Sequence, residues 1–215
     1  MAVMMAQFTP SVVELGWVAA DGTADQISQE PMVFAASWDF ISEVGGPLTQ
    51  EALSVLEENL KRSEYPEVIF DSRVQLLQKG EYSAIPGYHC DFYRRIDGQP
   101  DLTYDAQGWI ASFSLVSNGW AGAETEVIAE PVDITWWDRK HVWKSVHDQV
   151  KDKSSLLLNH GCWNWISQKT IHRATPAKES TWRFWLRVAH TDNTKCVNKI
   201  RRQTMVYVVD ESSGW

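Results

Sequence analysis

Short segments with strand-like patterns, running from residue 67 to about residue 190, constrain the fold of this 215-residue chain most. Apolar side chains at Trp109, Ala111, Phe113 and Leu115 alternate with smaller or polar ones, as on a half-buried strand. The same kind of pattern predicts further strands at 12–18, 67–77, 125–128, 132–136, 155–158, 171–174 and 182–188. Many short strands separated by turns are typical of a β-sandwich or jelly roll.

Two segments have helical rather than strand-like patterns. Leucines recur at helical spacing between residues 53 and 60, after Pro47, and Thr49 is expected to cap this helix. A second helix is predicted from Asp138 to Lys153, and a loop from Asp21 to Pro31. The predicted class is therefore α+β, mainly β, with supporting N-terminal helices and one inserted helix.

The length predicts a single domain, 1–215. Within it we expect an N-terminal support of helices and strands (1–66), a core (67–190) interrupted by the helical insertion (138–153), and a C-terminal extension (191–215).

The charge and the cysteines restrict the partners and the compartment. The formal net charge of −8 repels phosphate backbones, so nucleic acid is not the expected partner. Three cysteines without a CxxC pair favour a reducing compartment over a disulfide-bonded secreted fold. Neither a signal-peptide pattern nor a run of about 18 apolar residues is present, so we expect a cytoplasmic protein without a membrane span.

The twelve tryptophans are several times the usual share, and five of them lie between Trp136 and Trp165. Large indoles most often pack in cores, with the N–H finding a partner. The alternative, that these tryptophans bind an aromatic substrate or form a partner surface, stays open.

One motif indicates a metal site. On a strand, side chains two residues apart share a face, so His89 and Asp91 point together while Cys90 points away. His172, from another strand, would complete a set of two histidines and one carboxylate. Such a set leaves coordination positions open and is typical of non-haem Fe(II) oxygenases.

An HxD pair alone is weak, because composition produces one by chance easily. The chain contains a second pair, His190 and Asp192, but no histidine follows it, so a surface strand end is the favoured interpretation. A zinc site at His141, His147, His160 and Cys162 is also disfavoured, since their spacing matches no common zinc pattern.

Basic residues accompany His172. If the chain forms a hairpin after His172, the return strand brings Arg183 alongside it, with Arg183, Trp185 and Arg187 on one face. Two arginines inside a barrel would be costly unless they bind an anion, and a bidentate clasp on a carboxylate is the natural use. A solvent-exposed face with two ordinary arginines is the alternative.

Five segments, in this order, resemble the iron- and 2-oxoglutarate-dependent dioxygenases, specifically their prolyl-hydroxylase-like branch. They are LQKGE (77–81), HCDF (89–92), SLVSN (114–118), GAETEV (122–127), and the stretch from His172 to Arg183. The resemblance extends over roughly residues 67 to 188.

The resemblance implies a double-stranded β-helix, or jelly roll, that holds Fe(II) and 2-oxoglutarate. It implies an oxygenase that hydroxylates a protein side chain or a small molecule and releases succinate and CO2. The expected metal ligands are His89, Asp91 and His172, and Arg183 is expected to bind the distal carboxylate of 2-oxoglutarate. Further co-substrate residues are expected at Arg187, Asn118 and Thr125, and substrate-pocket residues at Tyr88, Tyr93 and Trp185.

Two other functions stay open at this point. One is a non-catalytic jelly-roll binding or assembly protein with a vestigial metal site, because a fold does not determine a function. The other is a cupin-like iron enzyme that does not use 2-oxoglutarate. Whether the chain forms a homo-oligomer is likewise left open.

Overall fold

The computed structural model describes residues 4–19, 22–60, 67–103, 108–119, 122–137, 141–191 and 194–208, and strands predominate among them. The strands are β1 (Met4–Phe8), β2 (Val12–Trp17), β3 (Met32–Phe34), β4 (Ile69–Leu77), β5 (Arg95–Ile96), β6 (Gln99–Pro100), β7 (Trp109–Val116), β8 (Thr125–Ile128), β9 (Val132–Trp136), β10 (Ser155–Leu157), β11 (Cys162–Ser167), β12 (His172–Ala174), β13 (Thr181–His190) and β14 (Lys199–Arg201). The helices are α1 (Ala24–Gln29), α2 (Trp38–Val44), α3 (Pro47–Asn59) and α4 (Val142–Val150).

Each N-terminal helix begins at a group that satisfies its first backbone N–H donors. Thr23 and Gln26 form a capping box at α1, and the Ser37 hydroxyl caps α2. At α3 the buried carboxylate of Glu30 accepts from the backbone N–H groups of Leu48 (3.2 Å) and Thr49 (2.9 Å). The prediction that Thr49 caps this helix is therefore wrong, because Thr49 lies inside the first turn and a residue distant in sequence supplies the cap.

The sheets are antiparallel throughout their described pairings. The large sheet has the order β2-β11-β7-β13-β4, and a small sheet has the order β10-β8-β12. A bridge between His89 and His172 adds the segment around residue 89 to the free edge of β12. This segment and the small sheet lie opposite the large sheet, with a pocket between them that both line.

The large sheet is buried differently on its two faces. On β13, Phe184, Leu186 and Val188 pack into the main apolar core together with residues of α1, α2 and α3. The alternate residues, Arg183 and Arg187 among them, line the pocket on the other face. The predicted alternation along β13 is thus confirmed.

The hairpin predicted after His172 is wrong. β12 pairs with β8 in the small sheet, whereas β13 pairs with β4 and β7 in the large one. Residues 175–180 therefore cross from one sheet to the other, and Arg183 is on the sheet opposite His172 rather than beside it.

A second apolar cluster covers the small sheet from outside. It is formed by β1, β9, α4 and the segment from residue 88 to residue 93. The inserted helix predicted from Asp138 to Lys153 is found at Val142–Val150, and residues 138–140 lie outside the described part of the chain.

The tryptophans divide between core and surface. Trp163 is fully buried, and its indole N–H donates to the Ala52 carbonyl at 2.7 Å, which joins β11 to α3. Trp136 is buried as well, whereas Trp137 is 60% exposed. No helix among the described residues combines the length and apolarity needed to cross a bilayer.

Replacing Glu30 by alanine should destabilise the fold, because two buried N–H groups at the start of α3 would lose their acceptor. We expect a loss of about 1–3 kcal/mol in the free energy of unfolding, measured by urea denaturation. The matched control is Glu43→Ala on α2, where the carboxylate is exposed. Equal effects of the two substitutions would contradict the capping role of Glu30.

Candidate metal site

The two histidines of the HxD…H set face each other across a pair of antiparallel segments. The His89 N–H donates to the His172 carbonyl, and the His172 N–H donates to the His89 carbonyl, both at 2.9 Å. This reciprocal pairing fixes the register of the two residues and places their ring centroids 4.8 Å apart. Asp91, two residues after His89, reaches the same side.

The three side chains converge on one point. Asp91 Oδ1 is 3.7 Å from His89 Nε2, and Asp91 Oδ2 is 3.9 Å from His172 Nε2. The three ligand atoms all lie within 4.8 Å of one another. Cys90 points away into the apolar cluster around β1 and α4, as the alternation predicts.

The hydrogen bonds of the rings select the tautomer that a metal needs. Nδ1 of His89 is 2.8 Å from the Gly87 carbonyl, and Nδ1 of His172 is 2.9 Å from the Thr170 carbonyl. A carbonyl oxygen can only accept, so Nδ1 carries the proton in both rings and Nε2 presents its lone pair. Both lone pairs therefore belong to the nitrogens that converge with Asp91, in an arrangement that can bind a metal.

The charge states fit the same interpretation. Burial, followed by the neighbouring His172, lowers the pKa of His89 to about 4, so its imidazole is neutral at pH 7. Burial alone would raise the pKa of Asp91, but the opposing charges, Arg187 first, outweigh it and lower this pKa to about 2. A neutral imidazole and an ionised carboxylate are the forms that coordinate a cation.

Arg187 holds the carboxylate ligand in place. One guanidinium nitrogen of Arg187 donates to Asp91 Oδ2 and another to Asp71 Oδ2, each at 2.6 Å. Asp71 is buried on β4, and its other oxygen accepts from the Ala35 N–H at 3.0 Å. The clamp leaves Asp91 Oδ1 on the side of His89 and ties the metal site to the large sheet.

The pocket between the two sheets has a volume of about 760 Å³, its open mouth included. Its walls carry the three convergent ligands on one side and Arg73, Arg183 and Arg187 on the other.

Arg183 is the unusual group in this pocket. Its side chain is only 3% exposed, its Nε has no hydrogen-bond partner, and no ion pair within the described chain engages its guanidinium. Burial, and then the charge of Arg73, lower the pKa of Arg183 to about 9, while the nearby Glu124 acts in the opposite direction. A buried cation without a counter-ion is costly, so this position favours an anionic ligand.

The other predicted site residues separate into two groups. Thr125 and Trp185 line the pocket. Asn118 lies in an exposed turn, where its amide donates to the Ser180 carbonyl at 2.8 Å, and it is not among the pocket residues. Tyr88 is in the apolar cluster behind the ligands, and Tyr93 lines a neighbouring open groove.

Three of the four remaining histidines have structural partners. His147 Nδ1 accepts from the Tyr88 N–H at 3.3 Å. His160 lies between the Ser114 hydroxyl (2.7 Å) and the Gly122 carbonyl (3.0 Å), and burial lowers its pKa to about 4. His190 ends β13 on the surface, stacked on Trp109, as expected for the second HxD pair; Asp192 lies outside the described residues.

Sequence patterns did not reveal Asp71, Arg73 and Tyr207 as site residues. Asp71 and Arg73 are on β4, and Tyr207 comes from the C-terminal extension and lines both the pocket and the groove. The recurrence of Asp71, Arg73 and Gln75 at every second position of this strand, whose other residues except Ser72 are apolar, is the signal that could have identified the first two.

Metal binding should depend on the three convergent ligands. We expect His172→Ala to weaken Mn(II) binding, measured by calorimetry, by more than the roughly 10–100-fold that loss of a residue supporting a ligand costs. His190→Ala is the control, and it should leave the affinity unchanged. If Mn(II) bound elsewhere in the protein, His172→Ala would leave its affinity unchanged.

Removing the Arg187 clamp should destabilise the protein. Arg187→Ala leaves the buried Asp71 and the partly buried Asp91 without their common cation, which typically costs about 3–5 kcal/mol in the free energy of unfolding. Lys144→Ala removes an exposed helix ion pair with Asp148 and should cost at most about 1 kcal/mol. Chemical denaturation compares the two, and similar losses would show that the clamp adds no stability.

Comparison with known proteins yields only remote similarity. No profile of a known protein family matches the chain, and no curated protein does. Two solved structures of the non-haem monooxygenase ThoJ are similar to it: the nickel complex at 12% identity over 78% of each chain (TM-score 0.32), and the apo form at 11% identity over 89% of this chain and 85% of that one (TM-score 0.33). Similarity at this level does not assign the chain to a family.

Proposed function

We propose that the protein is an Fe(II)- and 2-oxoglutarate-dependent oxygenase that hydroxylates a small molecule or a protein side chain. The observation that carries the proposal is one pocket with a His-Asp-His set on one wall and an unpaired, buried arginine on the other. Separately, the metal set or the arginine would be compatible with many functions. Together they could bind a metal ion and a metal-bound acid such as 2-oxoglutarate, whose second carboxylate would reach the arginine.

His89, Asp91 and His172 would hold the metal. Two imidazole nitrogens and one carboxylate oxygen suit Fe(II) better than a sulfur-rich set would, and they leave coordination positions open. When bound, iron and 2-oxoglutarate together supply the activation of O2, with succinate and CO2 as co-products.

Arg183 would bind the distal carboxylate of 2-oxoglutarate. A guanidinium can donate two parallel hydrogen bonds to a carboxylate, and in a buried pocket these are strong. Thr125 lines the same space and can contribute its hydroxyl. Asn118 has no part in this proposal because of its place in an exposed turn.

In this proposal Arg187 acts through Asp91 rather than on the co-substrate. Two of its nitrogens are already engaged by Asp91 and Asp71. By occupying Oδ2 of Asp91, Arg187 orients the carboxylate so that Oδ1 is left for the metal. The two backbone carbonyls behind His89 and His172 orient the imidazoles in the same way.

The order of the strands supports a double-stranded β-helix as the fold that carries this chemistry. Along the chain, β4 lies in the large sheet, the His89 segment joins the small one, β7 is in the large one, and β8 and β10 are in the small one. β11, β12 and β13 then alternate as large, small and large. Two facing antiparallel sheets that exchange strands in this way are the architecture of a jelly roll.

The role of Arg183 can be tested by binding alone. Under anaerobic conditions, Fe(II) and 2-oxoglutarate should give the weak visible charge-transfer band of a chelate. Arg183→Gln should weaken 2-oxoglutarate binding by more than about tenfold, because a charge-assisted pair of hydrogen bonds is lost. The exposed Arg202→Gln is the control for loss of one positive charge.

The outcomes separate the proposal from its competitors. A protein that binds Fe(II) but no 2-oxoglutarate, and keeps activity in Arg183→Gln, would be a cupin-like iron enzyme. A protein that binds neither ligand at millimolar concentration would contradict the proposal and leave the non-catalytic binding protein.

A further inference from the structure

The charges of the pocket do not balance after the metal site is accounted for. Four arginines line it, Arg73, Arg173, Arg183 and Arg187. Arg173 is paired with Glu126 at 2.6 Å. Asp71 and Asp91 are both engaged by Arg187, and Asp71 also has Arg201 at 3.5 Å. Glu124, the carboxylate near Arg183, accepts from the Thr175 hydroxyl at 3.0 Å. Arg73 and Arg183 therefore form no ion pair with a carboxylate of the described chain.

Arg73 has no strong hydrogen bond of its own. Its one polar contact among the described residues is the Ser83 carbonyl, at 3.5 Å, and its Nε is buried with no partner. The guanidinium lies over the Trp185 ring, 5.4 Å from the centroid. Burial, followed by the charges of Arg187 and Arg201, lowers the pKa of Arg73, so a bound anion would stabilise its charge.

Arg73 and Arg183 are in different parts of the pocket. In the β4–β13 register, Arg73 is opposite Trp185, whereas Arg183 is opposite Gln75, one pleat further along. Arg183 is 3% exposed and close to Glu124 and His160, at the closed end. Arg73 is partly exposed and near Tyr207, which also lines the adjoining groove.

The rim over Arg73 is built by defined hydrogen bonds. Gln75 donates to the Ser83 carbonyl (2.8 Å) and to the Met205 carbonyl (2.7 Å), so both rim segments are held against β4. Tyr207 is paired with Tyr82 through two backbone hydrogen bonds of 2.8 and 2.9 Å. His89, Asp91 and Tyr207 line both the pocket and the groove, so a molecule entering from the groove meets Arg73 and the metal ligands together.

We infer that Arg73 is a second oxyanion-binding residue, distinct from Arg183, and that the substrate carries an anionic group, a carboxylate or a phosphate, which Arg73 binds. The inference rests on the proposed function, in which the co-substrate neutralises Arg183 and leaves Arg73 for the substrate. It narrows the substrate class to acids that reach the metal ligands from the groove.

The test follows the two arginines separately, by the NMR signals of their Nε–H groups in protein loaded with diamagnetic Zn(II). Arg73→Lys and Arg183→Lys assign the two signals. We expect 2-oxoglutarate to shift the Arg183 signal, and a probe anion added afterwards to shift the Arg73 signal saturably. Acetate and inorganic phosphate serve as separate probes, and the tighter one identifies the oxyanion class.

Binding to variants gives the second readout. Arg73→Gln should weaken the probe anion by more than about tenfold and should weaken 2-oxoglutarate much less, because Arg183 is retained. Arg183→Gln should weaken 2-oxoglutarate binding more than binding of the probe anion. Arg95→Gln, an exposed arginine of the groove, is the matched control and should change neither affinity.

Three results would overturn the inference: equal loss of 2-oxoglutarate affinity in both arginine variants, a shift of both signals by 2-oxoglutarate with no further anion bound, or no saturable shift of Arg73 with either probe. Failure of the proposed function looks different, because 2-oxoglutarate would then leave Arg183 unshifted. The probe titration can still be read in that case, on protein without 2-oxoglutarate.

Discussion

The site depends on one largely buried guanidinium shared by two carboxylates. Arg187 on β13 joins Asp71 of β4 to Asp91, so the metal-ligand segment is tied to the centre of the large sheet. Taking three charges out of water is expensive, and only the short contacts among them offset that cost. The same interactions keep Asp91 ionised, because the charge of Arg187 opposes the effect of burial on its pKa.

The alternation of β13 explains how one strand serves both stability and chemistry. Its apolar residues pack under the N-terminal helices, and its polar residues face the small sheet. A sheet that gives one face to a polar pocket must obtain its apolar packing on the other. The helices α1, α2 and α3 supply that packing, and Glu30 and Trp163 join α3 to the rest of the fold.

Strand patterns in the sequence predicted β8 and β9 at their observed bounds and placed β4, β7 and β13 within a few residues. They missed β1, β3, β5, β6, β11 and β14. Neither β1 nor β11 has a clear alternation of apolar and polar residues, and the other four have only two or three residues each. The predicted loop from Asp21 to Pro31 is wrong in part, because it contains α1, a helix of only six residues that begins with the capping box of Thr23 and Gln26. Short elements depend on their neighbours more than on their own propensity, which limits any prediction from sequence.

The sequence by itself determined the chemistry of the candidate site: the HxD pair, the distal histidine, and the arginines on one face of a strand. These follow from residue types and from the two-residue period of a strand, which are local properties. Only the tertiary structure decided which groups meet, because pairing between distant strands sets those distances. Arg183 lies on the sheet opposite His172, and Arg187 pairs with Asp71 and Asp91. Arg73 lines the pocket, whereas Asn118 does not.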